Sequence, residues 1–392
     1  MPSKNITSVT WSCGDLPAGV NFDTATGTFS GTPEEDGEYV VPVTVETNYG
    51  TDTKDVKLIV SVPEPEIPEE YGAVYAIGTR AATWSGNAEA DAEGWRKLNM
   101  PDACRLVRTY KGFAAKTGDG EWYVCGKDSG TNPVRVYGIA DFNPSTPERF
   151  PVDNIVDMSF GERITSGDDY YYFAYLTRSR SAYILTKVNS IGVNPLVQQD
   201  DVRLLSKNYG YGVGTLLNSG EIYLTIGKTY YTLAEGVTPS QVKTLLAKVR
   251  LATPSVTYLT KSGELYEGAE HVEFSGGPIR EIWGGSGSDI IYAVTQDNKL
   301  YARGWNNNYQ LGFTTTSYRN TFELVGEYDV KKISPNATGG IAYLLTTDGK
   351  LYHTGLAQSG IVAQHKGFTQ IFPDKQFIDI TVYGTLVAIV KE

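Results

Sequence analysis

Histidine, cysteine and methionine each occur only three times in 392 residues, and each scarcity excludes something. His271, His353 and His365 fall in no His-x-x-x-His or Glu-linked pattern, which leaves zinc chemistry and histidine-based catalysis without a ligand set. Cys13, Cys104 and Cys125 match no metal or redox spacing. They are expected to be reduced and buried, with a Cys104–Cys125 bridge as the alternative. No apolar run reaches the roughly 18 residues of a membrane-spanning helix, and Met1–Asn5 offers no signal-peptide core. Membrane insertion and export by the usual route are therefore not expected. No Gly-x-Ser-x-Gly elbow, Walker loop or dinucleotide fingerprint occurs. Gly284–Asp289 is glycine-rich but lies between strand-like segments, so it reads as a turn and not a phosphate cradle. No cofactor, metal or catalytic residue is expected, and the chain reads as a non-enzyme.

Basic patches are missing too. The net charge is −11 and unevenly spread: residues 1–70 hold thirteen acids against Lys4, Lys54 and Lys57, and the remainder is nearly neutral. Without a basic face, nucleic-acid binding is not expected.

What the chain does have is tyrosine (27) and glycine (42), which suit pleated strands and tight turns. The fold class expected is all-β. Residues 1–62 read as short alternating strands, among them Val40–Thr47 and Lys54–Val62 with a hairpin turn at Asn48-Tyr49-Gly50. Leu16-Pro17-Ala18-Gly19, then Thr26-Gly27 before a short strand, then Ser30-Gly31-Thr32-Pro33 and Gly37-Glu38-Tyr39 follow in order. This succession resembles the immunoglobulin-like module of bacterial surface and phage proteins over residues 8–62, with a short or missing first strand. The resemblance implies a β-sandwich that spaces, stiffens or sticks and carries no chemistry. Trp11, Phe22, Phe29 and Tyr39 are expected in its core. Residues 63–70 alternate Pro and Glu and read as an extended linker about 25 Å long.

From Tyr71 onward one phrase recurs: a small polar turn, an apolar–Tyr–apolar strand, and often Gly. Thr347–Gly355 is its clearest copy. The phrase tyrosines are Tyr75, Tyr123, Tyr183, Tyr223, Tyr266, Tyr301 and Tyr352, separated by 48, 60, 40, 43, 35 and 51 residues. Such steps suit four-stranded propeller blades. Another apolar strand precedes most phrases, as in Phe113–Lys116 and Ile341–Leu345, making hairpins. Residues 71–78 supply an outgoing strand without its hairpin partner, while Phe377–Thr381 and Thr385–Val390 supply incoming strands without an outgoing one. Paired, they give a seven-bladed β-propeller over residues 71–392, closed by its first and last strands. Gly304-Trp305-Asn306-Asn307-Asn308-Tyr309-Gln310-Leu311-Gly312 resembles the repeat of the regulator-of-chromosome-condensation propellers, with Arg303 and Tyr309 replacing a usual Trp and Gly. Thr354-Gly355 with Gly360 is a worn second copy. That resemblance implies the fold and leaves the job open.

Binding is expected on the longer inter-strand segments 127–150, 187–201, 228–247 and 305–323, the third containing a helix-like Ser240–Ala247. Trp305, Tyr309, Tyr318 and Arg319 are the candidate binding residues, since exposed aromatics and arginine anchor partners. Tyr170–Tyr172 is a second aromatic group; alternating core and surface tyrosine is the other reading of all of these. The acid pairs Asp168-Asp169 and Asp200-Asp201 read as solvated turns. The function expected is a structural or binding component of a bacteriophage virion (capsid decoration, head fibre or tail-associated). Its Ig-like domain docks on other virion proteins, and its propeller faces outward to a host-surface glycan or protein. An outward-facing module without an export signal suits a particle assembled in the host cytoplasm. A bacterial surface adhesin or lectin-like module is the alternative, and a cytosolic exchange-factor-like propeller a third.

Overall fold

The computed structural model describes residues 6–17, 19–31, 37–60, 70–109, 112–126, 144–164, 169–188, 192–193, 197–207, 212–225, 228–250, 253–284, 289–335, 340–382 and 384–391. The chain divides into two compact units, Met1–Pro68 and Glu69–Glu392. Most of the expected linker lies outside the described residues, as do Thr32, Pro33 and residues 285–288 of the glycine-rich segment.

In the first unit, strands Val9–Cys13, Gly37–Thr47 and Gly50–Val60 form an antiparallel sheet in that order, and Val20–Asp23 pairs with Thr28–Gly31 as a separate ribbon. Asn48 and Tyr49 make the two-residue hairpin turn. The ribbon meets the sheet at Trp11, whose N–H donates to the Thr24 carbonyl at 3.2 Å. A Cβ on Gly27, which holds φ +68°, would come within 2.9 Å of the indole. Phe22 and Phe29 pack cross-strand with centroids 4.9 Å apart. Trp11, Phe22, Phe29 and Tyr39 are half-buried, not sealed; Pro17 and Val41 alone are buried among the described side chains of this unit.

The second unit is built on the recurrent phrase. Its described strands assemble into seven sheets, six of four strands and one of five. Each phrase tyrosine lies on the third strand of its sheet: Ala73–Gly78, Trp122–Cys125, Ala182–Val188, Glu221–Leu224, Leu265–Glu267, Lys299–Gly304 and Leu351–Gly355. The turn ahead of it has a chemical logic. Thr117, Thr295 and Thr346 each donate a side-chain hydrogen bond at 2.5 Å to an aspartate two residues on. Thr177 and Thr260 pair with serines at 2.8 Å. The following residue takes positive φ, as Gly120 (+83°), Gly263 (+89°) and Gly349 (+82°) do, with Asn298 (+63°) and Arg180 (+63°) in the same role. Glycine and asparagine tolerate that conformation best, which explains the Asp-Gly, Ser-Gly and Asp-Asn signatures.

One sheet joins the two ends of the unit. Ala73–Gly78 pairs antiparallel with Thr385–Val390 along all six residues, and Phe377–Val382 pairs with the latter on its other side. Lys391 Nζ reaches Glu70 at 2.6 Å beside this ladder.

The first strand of each sheet is Ala103–Thr109, Ile155–Ile164, Val202–Leu205, Val242–Arg250, Ile279–Gly284, Val330–Pro335 and Phe377–Val382. Each sheet contacts the next through or beside this strand, and Phe377–Val382 contacts Ala103–Thr109, so the series returns to its start. Between the sheets lie seven apolar clusters; Tyr292, Tyr343, Phe113 and Phe160 are among the largest sealed side chains.

Three expectations need correction. Ser240–Ala247 is not helical: a 3-10 turn at Pro239–Gln241 leads into strand Val242–Arg250. The strand register slips between Val242 and Thr244. That bulge spaces the buried Val242, Leu245 and Leu246 like a helical face, although they belong to a strand. Residues 187–201 and 228–247 are likewise not plain loops, since they contain the outer strands Val197–Gln199 and Thr229–Thr232. None of the three cysteines forms a disulfide, and against expectation Cys13 and Cys104 are only half-buried while Cys125 is buried; Cys104 donates to the Lys116 carbonyl at 3.5 Å and Cys125 to that of Ser145 at 3.5 Å. Burial pushes the Cys125 thiol pKa up.

Candidate functional site

Two places gather chemistry-bearing side chains. The first is the segment between strands Lys299–Gly304 and Arg319–Glu327, where the candidate residues fall. Gly304 opens it at φ +108°, with a Cβ there only 2.5 Å from the Asp289 carbonyl oxygen, so no side chain fits without backbone movement. Asn306 is sealed and acts as a cross-brace: its Oδ1 accepts the Leu311 N–H at 2.8 Å, and its Nδ2 donates to the Thr315 carbonyl. Gln310 Oε1 accepts the Asn308 N–H at 2.8 Å, and its carbonyl accepts the buried Tyr292 hydroxyl at 2.5 Å. The Asn and Gln of the repeat are therefore architectural. In the worn copy the corresponding Tyr343 hydroxyl donates instead to a side-chain oxygen, Gln358 Oε1, at 2.5 Å.

On this braced segment Trp305 and Tyr318 are exposed (47% and 36%) and meet edge to face with centroids 5.4 Å apart. Tyr309 sits in left-handed backbone, φ +65°, which costs a bulky residue about 1 kcal/mol or more. Its carbonyl accepts the Thr354 hydroxyl at 2.7 Å, and Lys366 Nζ lies 5.4 Å from its ring centre. Arg319 is occupied internally. It pairs with Glu323 at 2.9 Å, donates to Thr315 at 2.7 Å and lies 4.6 Å from the Phe313 ring centre, leaving its side chain 11% exposed. It holds the segment's shape, while Trp305 and Tyr318 present the surface.

The second place was not anticipated from the sequence. The first strand of every sheet slips register at the same point: between Ala103 and Arg105, Ile155 and Asp157, Val202 and Leu204, Val242 and Thr244, Ile279 and Glu281, Val330 and Lys332, Phe377 and Asp379. A bulge re-aims the residue that follows it. Five of these seven are charged, and they converge on a cavity of about 340 Å³. Arg105 pairs with Asp157 at 2.7 Å and Lys332 with Asp379 at 2.7 Å, each across neighbouring sheets. Where Leu204 supplies no charge, Lys207 substitutes, reaching Glu281 at 2.9 Å and lying 4.9 Å from the Trp283 ring centre.

The carboxylates also cap the backbone that the bulges free. Asp157 and Asp379 each accept the next residue's N–H at 2.7 Å, and Glu281 does so at 2.9 Å. Asp379 also accepts the Leu106 N–H at 2.6 Å, and Glu281 the Thr244 hydroxyl at 2.6 Å. The adjacent Asp157 carboxylate holds the Arg105 pKa above its usual range. Burial pulls the Lys207 pKa down, offset in part by Glu281. Glu281 stays below its usual range because Lys207, Thr244 and the Ile282 N–H outweigh its burial. The side chains of Arg105 and Lys207 keep 44% and 34% of their surface open, so these pairs line a wet cavity and not a dry core. The sequence signal was apolar–x–charged–apolar at the head of five of the seven sheets, as in Ile155-Val156-Asp157-Met158 and Val330-Lys331-Lys332-Ile333.

Elsewhere, Tyr171 and Tyr172 are buried core, which removes them as a stacking surface. Asp168 lies outside the described residues. Asp200 accepts Ser181 at 2.6 Å and Gln198 at 2.9 Å, and Asp201 accepts Asn218 at 2.7 Å, so both shape a turn. No group of three or more metal-ligating side chains occurs among the described residues. None of their helices is long and apolar enough to cross a membrane.

Comparison with known proteins bears on both units. Residues 2–61 match the family model described as "Putative Ig domain". The fold is similar to that of Prp20p from Saccharomyces cerevisiae, whose structure was described with its binding to Gsp1p and histones. The two are 12% identical, the match covers 82% of this chain and 92% of that one, and the TM-score is 0.58. Human WBSCR16 is similar at 13% identity, 82% and 99% coverage and TM-score 0.57. Yeast RCC1 (Prp20) bound to Kap60 gives 12%, 82%, 90% and 0.56. The chain thus joins an Ig-family segment to a β-propeller of the RCC1-like fold.

Proposed function

We propose that the protein is a non-enzymatic structural and binding component of a bacteriophage virion, a capsid-decoration, head-fibre or tail-associated protein. In this reading residues 1–62 complete an Ig-like sandwich that docks on capsid or tail proteins, and residues 71–392 form a closed seven-bladed propeller displayed outward. The observation that carries the binding role is the exposed Trp305–Tyr318 pair on a segment whose Asn306, Gln310 and Arg319 are all spent on bracing it. Rigid aromatic anchors lose little entropy on binding. The Ig-family match of residues 2–61 supports the reading, since the motifs of residues 8–62 resemble the modules of bacterial surface and phage proteins. The ion pairs of the axial cavity engage the carboxylates that an acid–base enzyme would need free.

Mass spectrometry of gradient-purified phage particles from the source tests this reading. The protein is expected in stoichiometric amount in the particles; its absence there sinks the virion role. The same aromatic pair favours a second reading, an adhesin or lectin-like protein of the bacterial surface. Recovery on cell envelopes instead of particles, with glycan or host-protein binding abolished by Trp305→Ala and Tyr318→Ala together, supports that one.

A further inference from the structure

We infer that the axial cavity is a binding site for a small organic anion, a carboxylate carried on a flat apolar body. This goes beyond the roles above and is independent of what carries the protein.

The cavity's carboxylates are engaged. Both Asp379 oxygens are taken, by Lys332 and the Ile380 N–H on one and the Leu106 N–H on the other. Glu281 Oε1 accepts three partners and Asp157 Oδ1 two. Arg105 is the opposite case. A guanidinium has five N–H donors, and among the described residues Arg105 places one nitrogen, Nη2, on a hydrogen-bond acceptor. With four cationic residues against three carboxylates on the lining, the cavity favours a negative guest. The unused edge of a planar fork matches a carboxylate in a two-point contact.

The rest of the guest is set by the walls. Strand alternation carries Val107 and Trp283 to the same side as Arg105 and Glu281, one layer further along their strands. Both line the cavity as its apolar wall. At about 340 Å³ the volume lies in the lower range of small-molecule sites.

The probe is benzoate, titrated into the full chain at low salt and followed by calorimetry and saturation-transfer NMR. Saturable binding with a dissociation constant on the order of 1 mM or tighter is expected. Benzyl alcohol, of the same shape without the charge, is expected not to compete. Arg105→Gln should weaken binding about tenfold or more. Asp157→Asn, which leaves Arg105 in place and releases its ion pair, should tighten it. Absence of saturable binding to the folded chain overturns the inference, as does equal affinity in Arg105→Gln. If Arg105→Gln fails to fold, Asp157→Asn decides alone: unchanged or weaker benzoate binding rejects the site.

Discussion

The two units are both all-β, yet they hold their strands by different means. Among described side chains, Val41 is the one sealed hydrophobic residue of the first unit, whereas every sheet of the second has sealed apolar residues on its strands. The reason is repetition. Each sheet of the second unit contacts a sheet on either side, so Tyr292 and Leu344 of two neighbouring sheets are sealed in one shared cluster. Among the described residues the two small sheets of the first unit meet around Trp11, and a small surface-rich unit buries a lower fraction of its chain. The first unit relies on Pro17, on the Phe22–Phe29 pair and on Trp11 against Gly27. It also carries most of the net charge. One unit is a chain stiffened at its turns, the other a set of mutually buried sheets.

That contrast can be broken by calorimetry. Two thermal transitions are expected, the first unit melting at the lower temperature; a single cooperative transition contradicts the comparison. The largest substitution effect belongs to the second unit. Leu344→Ala should lower the stability of the upper transition by about 2–5 kcal/mol and leave the lower one in place.

Acid should sharpen the same separation, because all three histidines lie in the second unit. His353 is sealed, with its Nδ1 3.0 Å from that of His365. Burial first, and then the neighbouring His365, push its pKa down from 6.5 to about 3. The unfolded chain takes up that proton near pH 6.5 while the folded chain does not, so stability present above pH 6.5 falls as the pH drops toward 3. The loss approaches about 1.4 kcal/mol per pH unit. The upper transition should therefore drop between pH 6.5 and 5 in urea melts, and His353→Gln should flatten that slope.

Glycine positions give the smaller effects. Gly304→Ala forces a Cβ to within 2.5 Å of the Asp289 carbonyl oxygen at φ +108°, for a cost of about 1–3 kcal/mol or more in the upper transition. Gly50→Ala, at φ +140° with nothing within 4 Å, meets only the backbone penalty. It should shift the lower transition by about 1 kcal/mol.

What was legible in the sequence follows the same division of labour. The second and third strands of each sheet are buried on both sides of a turn with fixed chemistry, so Thr295-Gln296-Asp297-Asn298 and its relatives announced them. The outer strands were hidden because they alternate only weakly against solvent; Thr229–Thr232 reads exposed and half-buried in turn. The first strands were visible as apolar runs, but the bulge after Val242 disguised one as a helix. The same bulges concealed the axial charges, since Arg105 and Lys332 look like ordinary surface residues once strict alternation is assumed. Of the loop candidates, Trp305 and Tyr318 could be read as a presented pair. Arg319 could not be told from them, because its partners Glu323 and Thr315 are fixed only by the fold.

The ladder that joins Ala73–Gly78 to Thr385–Val390 has a mechanical corollary. Ala73 lies opposite Val390, so the two strands enter and leave at the same end of their pairing. Tension applied between those ends would part the hydrogen bonds one after another, as a zip opens, and would not load them together in shear. Force from the first unit is better resisted if it leaves through a sheet other than this seam, such as the one bearing Trp305 and Tyr318, than through residues following Val390. A single-molecule pull between residue 71 and residue 391 should yield at low force, and one between residue 71 and residue 305 at a higher one.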